Sequence, residues 1–276
     1  MKRHALITGL DIGSSKVAAV VARLNDDGAL NIIAHTTQPS KGISKGAYAD
    51  LDAAVDCVSK AMEKLRKKIS RNIGDIYVNI SGQTVKGERS KGMVALSLRG
   101  REVTGQDIDK CVDAASTIKL PFGREIIHRI VRNFSVDDEA PIKNPIGLYA
   151  SRLGCEVYII SSSTNHIQNI YKCVNLAGYD VKELVFTGIA DGSALLSKEE
   201  KDARVFIIDM GAALTEVSLF AGGSLAEVEI APVGVESLKD DFRNDTELNN
   251  LLSGINSRIA KEKPFSVAVT GGIAFK

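Results

Sequence analysis

The sequence LDIGSSKV at residues 10–17 decides the fold class, because it places an Asp-x-Gly turn between two apolar runs. The apolar runs are predicted strands, and a turn at residues 25–28 leads to a third strand at 30–36. Gly13 lets the backbone approach a ligand closely, and successive amide groups in such a turn can surround an anion. Asp11 at the strand end suits a hydrated Mg²⁺. The stretch therefore predicts a phosphate-binding hairpin that opens a three-stranded meander.

The same order of elements recurs in the second half of the chain. The sequence DMGAALT at residues 209–215 again lies between two apolar runs. In both halves the meander is followed by a helical stripe and by a strand that ends in a glycine turn. The matching segments are residues 50–69 with 76–82 in the first half and 248–259 with 267–272 in the second. This repetition predicts a duplicated α/β fold.

Residues 83–157 do not repeat, and we interpret them as a subdomain inserted into the first half. A further helix at about 165–176, a strand at 181–186 and a short helix at 191–196 are predicted after it.

Charge and cysteine content exclude several classes of function. The 276 residues carry 35 basic and 34 acidic side chains, so no net charge directs the chain to nucleic acid or to an acidic membrane surface. The four cysteines are scattered and form no CxxC pair, which fits a reducing compartment better than a zinc site or a disulfide framework. No apolar run is long enough to span a membrane. We expect a cytoplasmic protein that partners can recruit to the inner face of the membrane.

Several segments in addition to residues 10–17 resemble the FtsA family of bacterial cell-division proteins, within the actin, Hsp70 and sugar kinase superfamily. They are PSKGISKG at 39–46, ISG at 80–82, RSKG at 89–92, REIIH at 124–128 and NIYKCV at 169–174. The resemblance runs from about residue 6 to 235 and resumes at 248–274. The pilus assembly protein PilM shares much of this plan and stays an alternative.

The resemblance implies an α/β, actin-like (duplicated ribonuclease-H-like) fold with three parts. Residues 1–82 are the expected first core half, 83–158 the FtsA-type inserted subdomain, and 159–276 a truncated second core half. FtsA proteins carry a whole nucleotide-closing subdomain where only residues 236–247 bridge the matching segments here. We therefore expect that subdomain to be lacking, the usual filament contact to be weakened, and this chain to have no membrane anchor of its own.

The resemblance also implies a nucleotide site with Mg-ATP as its cofactor. Asp11 and Asp209 are the residues expected to face the magnesium ion. The full set of candidate nucleotide-binding residues is Asp11, Gly13, Ser14, Ser15, Lys16, Asp209, Gly211, Ala212, Ala213, Gly271 and Gly272. No catalytic residue is predicted.

Five positions depart from the FtsA pattern around this site. Ala212 and Ala213 stand where the family has glycine, and Leu214 stands where it has threonine. If either alanine position requires a positive φ angle, its Cβ costs about 1 kcal/mol or more. Thr187 stands where the family usually has glutamate, and Ile273 where it has a third glycine. These changes predict weak or lost ATP binding.

The function implied by the resemblance is that of a scaffold or interaction protein of the cell-division machinery, not an enzyme beyond a vestigial ATPase. Its expected partners are other division proteins, bound through residues 83–158, with self-association as a further expectation and no nucleic acid partner. The open alternatives are a PilM-like pilus assembly protein and a slow ATP-binding switch. A small-molecule kinase of the same superfamily would need a general-base aspartate in a substrate lobe, and none is evident in the second half.

Overall fold

The computed structural model describes residues 6–26, 28–69, 73–118, 120–236 and 266–271, together with positions 250, 253, 254 and 257. These residues form sixteen strands and five helices. The strands are β1 (Leu6–Ile12), β2 (Lys16–Leu24), β3 (Leu30–Pro39), β4 (Ile43–Ser44), β5 (Ala47–Tyr48), β6 (Asp75–Ile80), β7 (Lys86–Ala95), β8 (Arg101–Glu102), β9 (Arg124–Val136), β10 (Tyr149–Ala150), β11 (Arg152–Ser163), β12 (Val181–Phe186), β13 (Val205–Met210), β14 (Thr215–Ala221), β15 (Ser224–Ala231) and β16 (Ser266–Thr270). The helices are α1 (Leu51–Lys68), α2 (Gly105–Ser116), α3 (Thr164–Leu176), α4 (Thr187–Leu195) and α5 (Lys198–Asp202).

The first sheet has the strand order β12-β6-β1-β2-β3. The predicted meander forms its antiparallel part, and β1 and β12 both lie parallel to β6. Helix α1 begins after Asp50, whose side chain accepts a hydrogen bond from the Ala53 amide at 3.0 Å. Val58, Met62 and Leu65 of its apolar stripe are fully buried, and the helix packs against the first sheet and against α3. The predicted helix over 50–69 is confirmed.

The second sheet has the order β15-β14-β13-β16 and repeats the first. Strands β13, β14 and β15 form an antiparallel meander, and β16 lies parallel to β13 as β6 lies parallel to β1. The duplicated α/β fold is therefore confirmed in the described residues. The predicted helical stripe of Leu248, Leu251, Leu252, Ile255 and Ile259 lies outside them.

The inserted subdomain is the three-stranded sheet β7-β11-β9, covered on one face by α2. It has its own apolar core, separate from the core of the first sheet. Asp107 closes a capping box with Thr104 at the start of α2 and accepts two hydrogen bonds from the Arg101 guanidinium, at 2.6 and 2.7 Å. This pair holds the pKa of Asp107 well below its usual range.

The sheet topology corrects the predicted boundary between residues 158 and 159. Strand β11 continues through Ser163 in the inserted sheet, and β12 joins the first sheet beside β6. A parallel neighbour must be reached by a long crossover, and here the inserted subdomain and α3 provide it. Residues 164–186 therefore lie with the first half, although they follow the insert in the chain. The second sheet begins only at β13.

Helix α4 connects the two halves and begins at Thr187, four residues before the predicted start at 191. Gly188 and Gly192, one turn apart, lie against β14 of the second sheet. A Cβ on Gly188 would collide with the Ser218 hydroxyl, and one on Gly192 would collide with the Phe220 ring. This close packing fixes how α4 is rotated between the halves.

Candidate phosphate-binding cleft

A cleft of about 560 Å³ lies between the two halves. Its walls include the two predicted hairpins, the start of α4 and the end of β16. Ten of the eleven candidate residues line it: Asp11, Gly13, Ser14, Ser15, Lys16, Asp209, Gly211, Ala212, Ala213 and Gly271. The eleventh, Gly272, lies outside the described residues, as does Ile273. The fold thus brings together residues that are about 200 positions apart in the chain.

The two hairpins have the same backbone turn. In the first hairpin the Gly13 amide donates to the Lys16 carbonyl at 3.0 Å, and in the second the Gly211 amide donates to the Leu214 carbonyl at 2.9 Å. The chain after each meander then returns to its hairpin. In the first half the Ser40 amide donates to the Ser15 carbonyl. In the second half the amides of residues 235 and 236 donate to the carbonyls of residues 211 and 212, respectively.

The alanines of the second hairpin carry no conformational strain. Among the described residues only Lys45, Asp137 and Asp138 combine a side chain with a positive φ angle. Ala212 and Ala213 are thus outside the left-handed region, and the cost expected for a Cβ there does not arise. The glycine losses change the chemistry of the turn without distorting its backbone.

Gly271 is required for packing inside the protein. Its φ angle is 117°, and a Cβ there would collide with the backbone of Met210 in the second hairpin. Gly271 lines the cleft, but its conformation is explained by this contact between β16 and the hairpin.

The two aspartates at the strand ends face each other across a crowded acidic site. Solvent reaches Asp11 through the cleft, yet the surrounding protein desolvates its carboxylate. Burial and the nearby Asp209 raise the pKa of Asp11 to about 6, while the positive charge of Lys16 opposes the rise. Burial also raises the pKa of Asp209, again opposed by Lys16. The positive charge of Lys16 therefore offsets part of the cost of placing these two carboxylates close together.

Two further acids in the cleft were not predicted. Burial and the charges of Asp209 and Asp11 raise the pKa of Asp191 on α4 to about 7. Glu216 on β14 is fully buried, and burial raises its pKa to about 8, although a hydrogen bond from Ser81 opposes the rise. A sequence signal for Glu216 was available, because this acid directly follows the turn sequence at residues 209–215. No comparable signal marked Asp191.

The end of β6 connects the two hairpins, which sequence reasoning also missed. Asn79 accepts a hydrogen bond from the Ile12 amide at 2.8 Å, next to the first hairpin. Ser81, two residues on, donates to Glu216 of the second half, and its carbonyl lies 2.9 Å from the His166 ring. Ser81 directly follows the last residue of β6, and both Asn79 and Ser81 line the cleft.

These residues fit a hydrated magnesium ion with a bound phosphate. Buried oxygens of Thr187, Asp191 and Glu216 have no hydrogen-bond partner among the described residues. Several carboxylates share the cleft with one lysine, so an added cation would relieve their repulsion. No three acidic, histidine or cysteine side chains of the described residues are close enough to coordinate a metal directly. A metal ion here would therefore be held through its waters, several of which Mg²⁺ usually keeps in proteins.

The inserted subdomain matches a known domain family. Residues 82–161 match the family model of the SHS2 domain inserted in FtsA. FtsA of Borreliella burgdorferi is 39% identical over 86% of the chain, and FtsA of Escherichia coli K12 is 29% identical over 97%. The chain is thus similar to FtsA proteins over most of its own length. It spans 57% and 65% of the length of those two proteins.

Solved structures support the fold of this chain. A PilM–PilN type IV pilus biogenesis complex matches 99% of the chain with a TM-score of 0.66 at 15% identity, covering 82% of that structure. The ethanolamine utilization protein EutJ of Carboxydothermus hydrogenoformans matches 98% with a TM-score of 0.55 at 13% identity, covering 77% of that structure. At these identities the likeness concerns the fold alone, and the actin-like class is confirmed. No helix of the described residues could span a membrane.

Proposed function

We propose that this chain is an actin-fold component of bacterial cell division that acts through its inserted subdomain and binds Mg-ATP weakly. The observation that carries the proposal is the match of residues 82–161 to the domain inserted in FtsA, within a chain 39% identical to one FtsA. Enzymatic turnover has no part in the proposal beyond a slow, vestigial ATPase.

The surface proposed for a division partner lies at one end of the inserted subdomain. The turns at residues 97–100 and 145–148 flank the paired strands β8 and β10. Together the two turns and β10 expose four apolar side chains, of which Leu98 is fully exposed: Leu98, Ile146, Leu148 and Tyr149. Exposed apolar clusters of this kind favour protein–protein contact.

A pull-down from a dividing bacterium tests the partner. The parent chain is expected to retain division proteins, and the pair of changes Leu98→Ser and Tyr149→Ser is expected to reduce their recovery without lowering the melting temperature. Phe122→Ser is the matched control, because Phe122 is equally exposed but lies at another turn of the insert, where the Gly123 carbonyl receives the Thr164 amide. Recovery of pilus components alone would replace the proposal with a PilM-like assembly role.

The nucleotide part of the proposal rests on the cleft. Backbone amides of the first hairpin, Ser14, Ser15 and Lys16 would hold phosphates, and Asp11 and Asp209 would face the hydrated magnesium. The second hairpin offers alanine and leucine side chains where the first offers hydroxyls and an ammonium group. With only one hairpin able to bind phosphate through side chains, affinity should be low.

Thermal unfolding with Mg-ATP and with Mg-AMP tests this part separately. A ligand present at a hundred times its dissociation constant stabilises by about 2.7 kcal/mol. We expect an ATP-specific rise in melting temperature that Asp11→Ala abolishes. Equal melting temperatures with and without millimolar Mg-ATP would mean that the fold serves as a nucleotide-free binding module.

A further inference from the structure

Helix α4 presents an acidic side chain, Asp191, to the cleft. Thr187 and Asp191 are four residues apart in α4, so they lie on the same side of the helix, and both line the cleft. Thr187 occupies the position where FtsA proteins usually carry a glutamate. Asp191 therefore offers a carboxylate about 6 Å, slightly more than one turn, further along the same helix face.

The rotation of α4 that aims Asp191 at the cleft is fixed by the two glycines on its neighbouring face. Gly188 and Gly192 each follow a cleft-lining residue by one position, and neither has room for a Cβ against Ser218 and Phe220. Turning the helix to move Asp191 out of the cleft would drive these contacts apart. The placement of Asp191 thus follows from packing between the halves.

The oxygens at this place have no protein partner. Asp191 Oδ2 and the Thr187 hydroxyl are both buried without a hydrogen bond among the described residues. Burying polar oxygens in this way costs free energy unless a ligand or water meets them. Asp11 and Asp209 are close enough to Asp191 for their charges to oppose its ionisation.

An independent observation on the second half also points to a ligand. Glu216 has only 4% of its surface exposed, and it lines the same cleft. One of its oxygens accepts from Ser81, while the other, Oε2, has no partner. Acids from α4 and from the second half therefore converge on the cleft with unmet oxygens, and a hydrated cation supplies both the charge and the hydrogen-bond donors they lack.

We propose that Asp191 replaces the carboxylate missing at Thr187 and, together with Asp11 and Asp209, holds a water of the hydrated Mg²⁺ that accompanies the nucleotide. The inference rests on the proposed binding of Mg-ATP, and it assigns to α4 a metal-positioning role. The carboxylate has moved along the helix by one turn, and its side of the cleft has stayed the same.

Binding of Mn²⁺ as a spectroscopic probe for Mg²⁺ tests the proposal. Electron paramagnetic resonance would give the Mn²⁺ affinity of the parent chain in the presence of ATP, and calorimetry would give the ATP affinity in EDTA. The variants are Asp191→Asn, the double variant Asp191→Asn with Thr187→Glu, and Asp180→Asn as a control on an exposed turn outside the cleft. Circular dichroism confirms that each variant is folded.

Asp191→Asn is expected to weaken Mn²⁺ binding about tenfold or more, the usual effect of losing an outer partner of a metal site. ATP binding in EDTA should stay equal or become tighter, because a negative charge has been removed. Returning the carboxylate at residue 187 should restore Mn²⁺ affinity, and Asp180→Asn should match the parent.

Different results overturn different claims. A parent that binds Mn-ATP with an Asp191→Asn variant of equal affinity refutes the role of Asp191 and leaves the proposed function standing. Equal losses of ATP affinity with and without metal would assign Asp191 to the nucleotide or to the fold, which also refutes it. A parent that binds neither ATP nor Mn²⁺ with ATP refutes the nucleotide part of the proposed function together with this inference.

Discussion

The two hairpins of the cleft share a backbone and differ in almost every side chain of the turn. Each is closed by a glycine amide that donates to the carbonyl three residues on, at 3.0 Å in the first and 2.9 Å in the second. The first turn then carries Ser14, Ser15 and Lys16, which lie partly or fully exposed at the cleft. The second carries Ala212, Ala213 and Leu214, two of which are buried.

The difference shows that the fold preserves the turn for reasons other than phosphate binding. The second hairpin is held by contacts within the protein: Gly271 packs against Met210, and Thr215 donates to the Val233 carbonyl at 2.8 Å. These contacts need the backbone conformation and place no demand on the side chains of residues 212–214. The hairpins can therefore have different roles, which substitutions in each turn can separate.

The largest effect is expected from Lys16→Met in the first hairpin. Lys16 is the cation that opposes the raised pKa of both Asp11 and Asp209. A charge-assisted hydrogen bond contributes about 1.5–3 kcal/mol, so the dissociation constant of Mg-ATP should rise about tenfold to a hundredfold. The measurement is calorimetric titration with Mg-ATP.

Leu214→Met is the matched control at the equivalent position of the second hairpin. It nearly conserves the volume of a buried side chain, and affinity should change little. If both variants lost affinity equally, the two hairpins would have to contribute equally, and the contrast between them would fail.

Much of the fold could be predicted because it depends on local patterns. The stripe of α1, the Asp-Gly turn signal and the repeated meander are periodicities that the sequence displays within short windows. The membership of β12 in the first sheet was missed, because pairing between β6 and β12 joins residues about 100 positions apart. Dividing the chain at residue 159 assigns β12 to the second half, although the strand pairs with β6 of the first sheet.

The candidate site was predictable where it follows a motif, and it was missed where it depends on packing. Residues 11–16 and 209–213 were identified from turn chemistry, and the cleft contains them. Asp191 escaped notice because its place in the cleft depends on how Gly188 and Gly192 seat α4 against β14. The start of α4 was also predicted four residues late, which separated Thr187 from Asp191.

A smaller effect is expected from Glu216→Gln, which probes the second half through pH. Burial raises the pKa of Glu216 from 4.5 to about 8. Between these values the folded state keeps a proton that the unfolded state has lost, so this group makes stability fall as pH rises. Asp11, Asp191 and Asp209 contribute with the same sign. In the Glu216→Gln variant the loss of stability with rising pH should be smaller than in the parent by more than about 1 kcal/mol, the equivalent of one pKa unit.

Urea unfolding in EDTA at pH 5.5 and pH 8 measures this change. Glu63→Gln is the control, because Glu63 is exposed on α1, far from the cleft lining. Stability should fall by the same amount in the control as in the parent. A Glu216→Gln variant with the full pH dependence of the parent would show that Glu216 ionises in the folded state as it does in water.

The smallest effect is expected from returning a glycine to the second hairpin. Ala213 lies outside the left-handed region, so Ala213→Gly adds freedom to the unfolded chain without relieving strain and should destabilise by about 0.5–1 kcal/mol. Ser15→Gly is the equivalent change in the first hairpin and should cost a similar amount. Urea unfolding compares the stabilities, and Mg-ATP titration compares the affinities. Only Ser15→Gly should weaken binding, since it alone removes a hydroxyl from the cleft. Stabilisation or tighter ATP binding in Ala213→Gly would instead mean that the second turn still needs glycine, and that its alanines are the cause of weak binding.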